Sequence, residues 1–272
     1  MDEVRLKDYI AKKETGSLRM DKFQKRMNTA LQKVELTKAV ADEYVRFGDV
    51  VQLENLRTGA VVSVDVENKD PRAAENACAV SASFIADACA RNTFTLEKYT
   101  PPSTAVLTMT YDDDLLHYGQ KVKIVVNPLA HGGDEGGGGP LRLTSFAVGQ
   151  THFAKFSRHC EVVAGGADSY ACVFEVLTPD PAKRLVSEGV PVMAGAPVVL
   201  RHAQTNQCLS VEGHALVNDF GKEIEVCGHT SVSAGASFVM EGMATGKPAS
   251  MTAKAPQDSN LFAILGGATG EE

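Results

Sequence analysis

At 272 residues and 44% hydrophobic content, the chain is long enough for one large domain or two ordinary ones with a substantial core. Its formal net charge of −7 argues against a general affinity for nucleic acid. It contains no apolar run of about 18 residues, so no membrane-spanning helix is predicted. Residues 1–8 are charged where a secretory signal needs an apolar stretch, and we therefore expect a cytosolic or nucleocytoplasmic protein.

Positive charge is concentrated near the N-terminus. Residues 1–33 carry nine Lys and Arg against five acidic residues, a net charge of +4 that leaves −11 for the rest of the chain. A basic segment attached to an acidic body is typical of an arm that binds an acidic surface on a partner. We therefore predict that residues 1–43 form a basic, amphipathic helical arm.

Two helices are predicted within this arm. The first, over residues 3–13, places apolar side chains on one face, and the second begins at Ser17 as N-cap. The second has apolar residues at spacings of three and four: Met20, Phe23, Met27, Ala30, Leu31 and Val34. This helix either docks on its own domain with its charged face in solvent or anchors the chain to another protein. The candidate partner-binding residues are Arg19, Lys22, Phe23, Lys25, Arg26 and Lys33.

A short phrase recurs three times after the arm. It consists of a Gly with aliphatic residues three and five positions later, which is the alternation of a half-buried strand opened by a turn. The copies begin at Gly48, Gly119 and Gly195. A second element, a Phe two positions before an aliphatic residue, follows each copy, within residues 92–96, 172–176 and 236–240.

A repeat with such a long period predicts three units that share one core. We predict a mainly β fold, β-trefoil-like, with three pseudo-repeats over residues 44–244 and units starting near residues 48, 119 and 195. Residues 245–272 are rich in Gly, Pro, Ala and Ser, which predicts a flexible C-terminal tail.

Some segments between the repeats are less regular. Residues 73–90 fit a helix or a strand equally well, and residues 105–109 are typical of a strand. The Gly-rich residues 132–139 resemble a phosphate loop, but no Lys-Ser or Lys-Thr follows and Pro140 removes a donor, so a hairpin insertion is favoured. Residues 180–189 predict a short helix with Asp180 as its N-cap.

The sequence has few signs of chemistry. It contains no Gly-x-Ser-x-Gly pattern and no Cys-x-x-Cys pair, so its six cysteines are expected to be free, buried thiols. The candidate metal ligands have irregular spacing and do not predict a metal site: His202, Cys208, His214, Cys227 and His229. We therefore expect no enzyme activity, catalytic residue, metal or cofactor.

Three blocks are distinctive: residues 179–192 with Pro179-Asp180-Pro181, residues 202–209 with Thr205-Asn206, and residues 220–230 with Phe220-Gly221-Lys222-Glu223. These blocks are the most specific part of a resemblance to the cilia- and flagella-associated protein 161 family, which extends over about residues 5 to 240. Further similar stretches are Leu6-Lys7-Asp8-Tyr9-Ile10, Tyr44 to Asp49, and Arg91-Asn92-Thr93-Phe94. Residues 67–90 and 132–139 depart from the family pattern.

This resemblance implies a non-enzymatic structural protein of the cytoplasm and cytoskeleton, located in the axoneme of cilia or flagella. It implies a microtubule inner protein of the doublet lumen, chiefly in the A-tubule. Its partners would be α- and β-tubulin and other inner proteins, with no nucleic acid and no membrane. The alternative is a cytosolic ligand-binding β-trefoil module for a carbohydrate or a phosphorylated ligand, although the sequence has no Trp to stack on a sugar.

Overall fold

The computed structural model describes residues 2–37, 43–69, 77–101, 111, 113–131, 139–231 and 256–266. Helices α1 (Asp2–Glu14) and α2 (Arg19–Ala30) precede twelve strands that are joined in one sheet, and a short helix α3 (Arg184–Ser187) lies between strands. The mainly β prediction with an N-terminal helical extension is confirmed. In the described ranges, each helix is too short or too polar to cross a membrane.

Most of the twelve strands are buried over consecutive residues and do not alternate strictly as predicted. In chain order they are β1 (Val50–Asn55), β2 (Ala60–Lys69), β3 (Cys78–Ser83), β4 (Phe94–Lys98), β5 (Lys121–Val126), β6 (Arg142–Ser145), β7 (Cys160–Gly165), β8 (Val173–Leu177), β9 (Pro197–His202), β10 (Leu209–Asn218), β11 (Gly221–Gly228) and β12 (Phe262–Leu265). The ambiguous segment at 73–90 therefore contains a strand from Cys78, whereas the strand predicted at 105–109 lies outside the described residues.

The three repeated glycines occupy equivalent positions. Gly48, Gly119 and Gly195 have φ angles of 87°, 86° and 75°, which L side chains rarely adopt. Each glycine N–H donates a hydrogen bond of 2.8–3.0 Å to a carbonyl in the last strand of its own unit. These acceptors are Leu96, Val176 and Ile264. The sequence repeat therefore corresponds to a repeat in backbone geometry.

Two strands from each unit pair in a continuous antiparallel cycle. The order is β1, β4, β5, β8, β9, β12 and back to β1. The other two strands of each unit pair with one another, as β2 with β3, β6 with β7 and β10 with β11. These three pairs also contact each other through β3, β7 and β11.

Three backbone hydrogen bonds join the segments that precede the repeated glycines of the three units. The N–H of Val45 donates to Val192, that of Val192 to Leu116, and that of Leu116 back to Val45, at 2.7–2.9 Å. All three side chains are buried in the main core. Because every donor finds its acceptor in another unit, the units depend on one another for their backbone pairing.

The described C-terminal segment completes this arrangement. Each unit has one fully buried Phe shortly after a single 3₁₀ turn, at or near the start of a strand of the cycle. These residues are Phe94, Phe174 and Phe262. The flexible tail predicted for residues 245–272 is therefore wrong for residues 256–266, because β12 pairs with β1 and β9. The third Phe predicted within 236–240 lies outside the described residues, and Phe262 holds the position equivalent to the other two.

Two local predictions are also corrected. The N-cap of α2 is Leu18, without a side-chain capping bond, because the Ser17 hydroxyl instead bonds the Thr15 hydroxyl and the Lys12 carbonyl. The short helix after Asp180 is confined to α3, although the Asp180 carboxylate accepts a hydrogen bond from the Ala182 N–H at 3.0 Å.

All six cysteines are free and buried, as predicted. Burial is the largest cause of a raised pKa at every one of these thiols, and it raises the pKa of Cys227 to about 12. The thiols therefore stay protonated at neutral pH and behave as small apolar side chains.

Candidate interaction surface

Helix α1 presents large apolar side chains to solvent. Leu6, Tyr9 and Ile10 lie on its predicted face and are 45–57% exposed. Two ion pairs within the helix, Lys7 with Glu3 and Lys12 with Asp8, join residues four positions apart. A helix with an exposed apolar face has a surface suited to burial against another molecule.

Helix α2 is fixed to the body by an ionic contact. The Arg26 guanidinium lies 2.5–2.7 Å from both carboxylate oxygens of Asp65 on β2, and 2.5 Å from Asp219 in the turn between β10 and β11. Burial acts to lower the pKa of Arg26, but its bonds to Asp65 and Asp219 outweigh burial and raise it. The sequence placed Arg26 on a solvated basic face, whereas the structure turns it towards the body.

The segment after α2 is joined to the body by backbone hydrogen bonds. The Val34 N–H donates to the Ala88 carbonyl at 3.1 Å, and the Ala90 N–H donates to the Gln32 carbonyl at 2.9 Å. Val34 also packs against the main core. The base of the arm is therefore an integral part of the fold.

The remaining candidate residues are exposed. Arg19, Lys22, Phe23 and Lys25 lie on α2, and Lys33 follows the helix. Phe23 is 41% exposed. We call the exposed side chains of α1 and α2 the arm surface. It combines basic and apolar groups. The helix docks on its own domain, which confirms one of the two alternatives from the sequence, and contact with another protein stays a prediction.

A buried ionic network lies beneath the arm. Both guanidinium nitrogens of Arg91 bond the Glu223 carboxylate, at 2.7 and 3.1 Å, and both side chains are 1% exposed. The same carboxylate accepts bonds from the hydroxyl of Ser81 and the amide of Asn218 at 2.6 and 2.5 Å. Arg91 also lies 3.7 Å from the centre of the Phe220 ring. These contacts hold the β10–β11 turn in place, and Asp219 in that turn bonds Arg26 of α2.

This network keeps Glu223 ionised. Burial acts to raise the pKa of Glu223, but the hydrogen bonds and charge of Arg91, with the bonds from Ser81 and Asn218, lower it overall. Sequence reasoning did not pair Arg91 with Glu223, although both residues lie in blocks that carry the family resemblance. Their separation along the chain gives no local signal of the contact.

The candidate metal ligands from the sequence are mostly dispersed. His202 is buried, and its ring nitrogens lie 2.8 Å from the Ala171 carbonyl and 2.9 Å from the Thr205 hydroxyl. Burial lowers the pKa of His202, which favours its neutral form. Of the five candidates, His229 belongs to the cluster of potential ligands found within the described residues, together with His159 and Glu212.

These features define a mainly β body of three related units that presents an exposed helical arm. Residues 146–234 match a family model described as the cilia- and flagella-associated protein 161-like domain. A cilia- and flagella-associated protein 161 from Danio rerio is 29% identical over 247 residues, covering 85% of this chain and 77% of the relative. One from Bos taurus is 25% identical, covering 85% and 72%. These matches confirm the resemblance of the chain to the cilia- and flagella-associated protein 161 family.

Solved structures show that the fold itself is shared more widely. A Caenorhabditis elegans protein of unknown function has a TM-score of 0.56 at 16% identity, over 84% of this chain and 98% of that one. An SDF2-like protein from Arabidopsis thaliana has a TM-score of 0.55 at 11% identity, over 84% and 99%. At these identities the similarity establishes the fold alone.

Proposed function

We propose that this protein is a non-enzymatic microtubule inner protein in the lumen of ciliary doublet microtubules. There it binds tubulin and neighbouring inner proteins and stabilises the axoneme for motility. Similarity to a family named for cilia and flagella supports the location. The observation that carries the binding role is the arm surface, which exposes basic and apolar side chains on helices whose base is fixed to the body.

In this proposal the body is a rigid β-trefoil. Three observations support that arrangement: the equivalent glycines, the cycle of six strands drawn equally from the units, and the three-way bonds of Val45, Leu116 and Val192. A closed set of mutual contacts resists deformation because interiors are close-packed. Such a body suits an adaptor that holds its neighbours at fixed distances.

The charge distribution supports an acidic partner for the arm. Arg19, Lys22 and Lys25 are exposed on a chain whose overall charge is −7. Tubulin has an acidic surface, which basic side chains would attract, while Phe23 would lose solvent exposure on contact. Exposed ion pairs are screened by salt, whereas buried apolar contacts are not, so a mixed interface would tolerate moderate salt.

Extraction of axonemes with high salt and detergent tests the location. The protein is expected to remain with the doublets, because a luminal protein is enclosed by the lattice and held by several contacts. Immunoblots of the extract and the pellet would measure its distribution. Release together with soluble dynein would contradict the proposal.

Charge reversal on α2 tests the arm. We expect the double variant Lys22→Glu, Lys25→Glu to bind doublets about tenfold more weakly. The reason is that each exposed ion pair lost with the partner costs roughly 0.5–1 kcal/mol of binding free energy. Occupancy would be measured by quantitative mass spectrometry of doublets from cells expressing each variant. Both side chains are exposed, so the melting temperature should stay unchanged.

A matched control has the same change in net charge on another surface. Arg57→Glu, Lys183→Glu alters two exposed basic side chains, one in the turn between β1 and β2 and one before α3. This control should retain normal occupancy. Equal occupancy of the arm variant and the wild type, or an equal loss in both variants, would remove the arm from the interface.

A further inference from the structure

We propose that His159, Glu212 and His229 form a binding site for a divalent transition-metal ion of the zinc type. One potential ligand atom from each residue lies within 4.8 Å of the others. His229 Nδ1 lies 2.5 Å from Glu212 Oε1, and His159 Nε2 lies 3.3 Å from Glu212 Oε2. The carboxylate thus faces one nitrogen from each imidazole ring.

The two rings are arranged in parallel. Their centroids are 3.7 Å apart and their planes differ by 6°. Zinc binds imidazole nitrogen and carboxylate oxygen at about 2.0–2.2 Å, so tetrahedral ligands lie roughly 3.3 Å from one another. Because an imidazole nitrogen binds metal in the plane of its ring, the rings must turn out of this stack for both nitrogens to reach one ion. Two His and one Glu leave a fourth position for water, which is a ligand set found in zinc proteins.

Hydrogen bonds hold the backbone of His229, and Glu212 lies where the pairing register of β10 with β11 shifts. The His229 N–H donates to the Cys208 carbonyl at 2.8 Å, and its own carbonyl accepts a bond of 2.6 Å from the fully buried Asn260. Glu212 lies on β10 next to buried Val211, and its side chain is only 17% exposed. His229 is therefore positioned by backbone hydrogen bonds, and Glu212 by the partial burial of its side chain beside Val211.

His159 is positioned by a constrained turn. The N–H groups of Phe156 and Ser157 each donate a bond of 2.8 Å to the buried Glu225 carboxylate on β11. Arg158, directly before the ligand, has a φ of 62°, which is uncommon for a residue other than Gly. The turn closes with a bond of 2.9 Å from the Ala154 N–H to the His159 carbonyl. Glu225 thus maintains a strained turn that places His159 over His229.

A bound ion would join three parts of the fold. It would link the turn before β7 to β10 and to the end of β11, and so would fasten two units of the body together. This role is independent of the arm and of tubulin binding. Each ligand binds in its deprotonated form, so metal binding releases any proton that the trio shares.

Metal titration of the full-length protein, without a polyhistidine tag, tests the site. Calorimetry with Zn²⁺ should show one ion per chain, and Co²⁺ should produce the visible absorption of a low-symmetry, four-coordinate site. With zinc about a hundredfold above its dissociation constant, the melting temperature should rise by about 5–10 °C. A wild-type protein that binds no stoichiometric metal would overturn the proposal.

Ligand variants locate the ion. His159→Ala, His229→Ala and the shape-conserving Glu212→Gln should each weaken zinc binding by at least about 100-fold. His214→Ala is the matched control, since His214 is exposed on the same strand, two residues from Glu212. It should bind like the wild type. Unchanged binding by the ligand variants, with their folding verified by circular dichroism, would show that the three side chains form only a hydrogen-bonded cluster.

Discussion

Replacing Arg91 by Met is expected to lower the free energy of unfolding by about 3–5 kcal/mol. The substitution leaves the Glu223 carboxylate buried without its cation, and both side chains are 1% exposed in the wild type. It also removes the guanidinium that lies over Phe220. Urea unfolding followed by circular dichroism would measure the change, with an unchanged m-value showing that the unfolded state is the same.

Arg201→Met is the control for this experiment. Arg201 pairs with Glu175 across β8 and β9, but its side chain is 34% exposed, so the expected cost is below about 1 kcal/mol. The double variant Arg91→Met, Glu223→Leu should cost less than the sum of the two single changes, because it removes both buried charges together. Equal costs for Arg91→Met and Arg201→Met would contradict the buried network.

The same network predicts acid sensitivity. The folded-state pKa of Glu223 is lowered, so its contribution to stability is present above the unfolded-state pKa of about 4.3 and is lost as the pH falls through the folded-state value. The wild type should therefore lose this contribution progressively below about pH 4.3. In Arg91→Met, where Glu223 lacks its cation, the pH dependence from this group should be smaller or reversed. Unfolding curves at a series of pH values would measure the difference.

Replacing Phe262 by Ala should destabilise the fold by about 3–5 kcal/mol. Phe262 is fully buried and begins the strand that pairs with both β1 and β9. Its loss removes a large apolar side chain from the contact between the first and third units and leaves a cavity there. Chemical denaturation of the full chain would measure the effect.

Val217→Ala is the control for Phe262→Ala. Val217 is 85% exposed, so shortening its side chain should change the free energy of unfolding by less than about 0.5 kcal/mol. If Phe262→Ala were as stable as Val217→Ala, the segment at 256–266 would not be part of the core. The tail predicted from composition would then have been the better interpretation.

The repeat predicted much of the body because its signals are local. Gly48, Gly119 and Gly195 each mark a turn that needs positive φ, and the aliphatic residues that follow face the same core. The pattern predicted a Phe within 236–240 for the third unit, whereas Phe262 holds the position equivalent to Phe94 and Phe174. The Phe within 236–240 and Phe262 are both followed by an aliphatic residue two positions later, and the choice is made by pairing with β1 and β9, which are distant in sequence.

The candidate surface was predicted less completely. Helical periodicity correctly placed Leu6, Tyr9 and Ile10 on one face, since that face is a property of the helix alone. The orientation of Arg26 depends on Asp65 and Asp219, which are 39 and 193 positions away. Such contacts exist only once the sheet has formed. The cluster of His159, Glu212 and His229 was not predicted either, because these residues meet only in the folded sheet and their irregular spacing gives no local pattern.

A density map of intact ciliary doublets, at a resolution that shows side chains, tests the structural role most directly. We expect density for the three-unit body inside the lumen, with α1 and α2 lying against tubulin or a neighbouring inner protein and with Phe23 and Lys22 at the contact. Absence of the body from the lumen would contradict the proposed function. A body bound in the lumen with α1 and α2 facing open solvent would contradict the arm as its docking element.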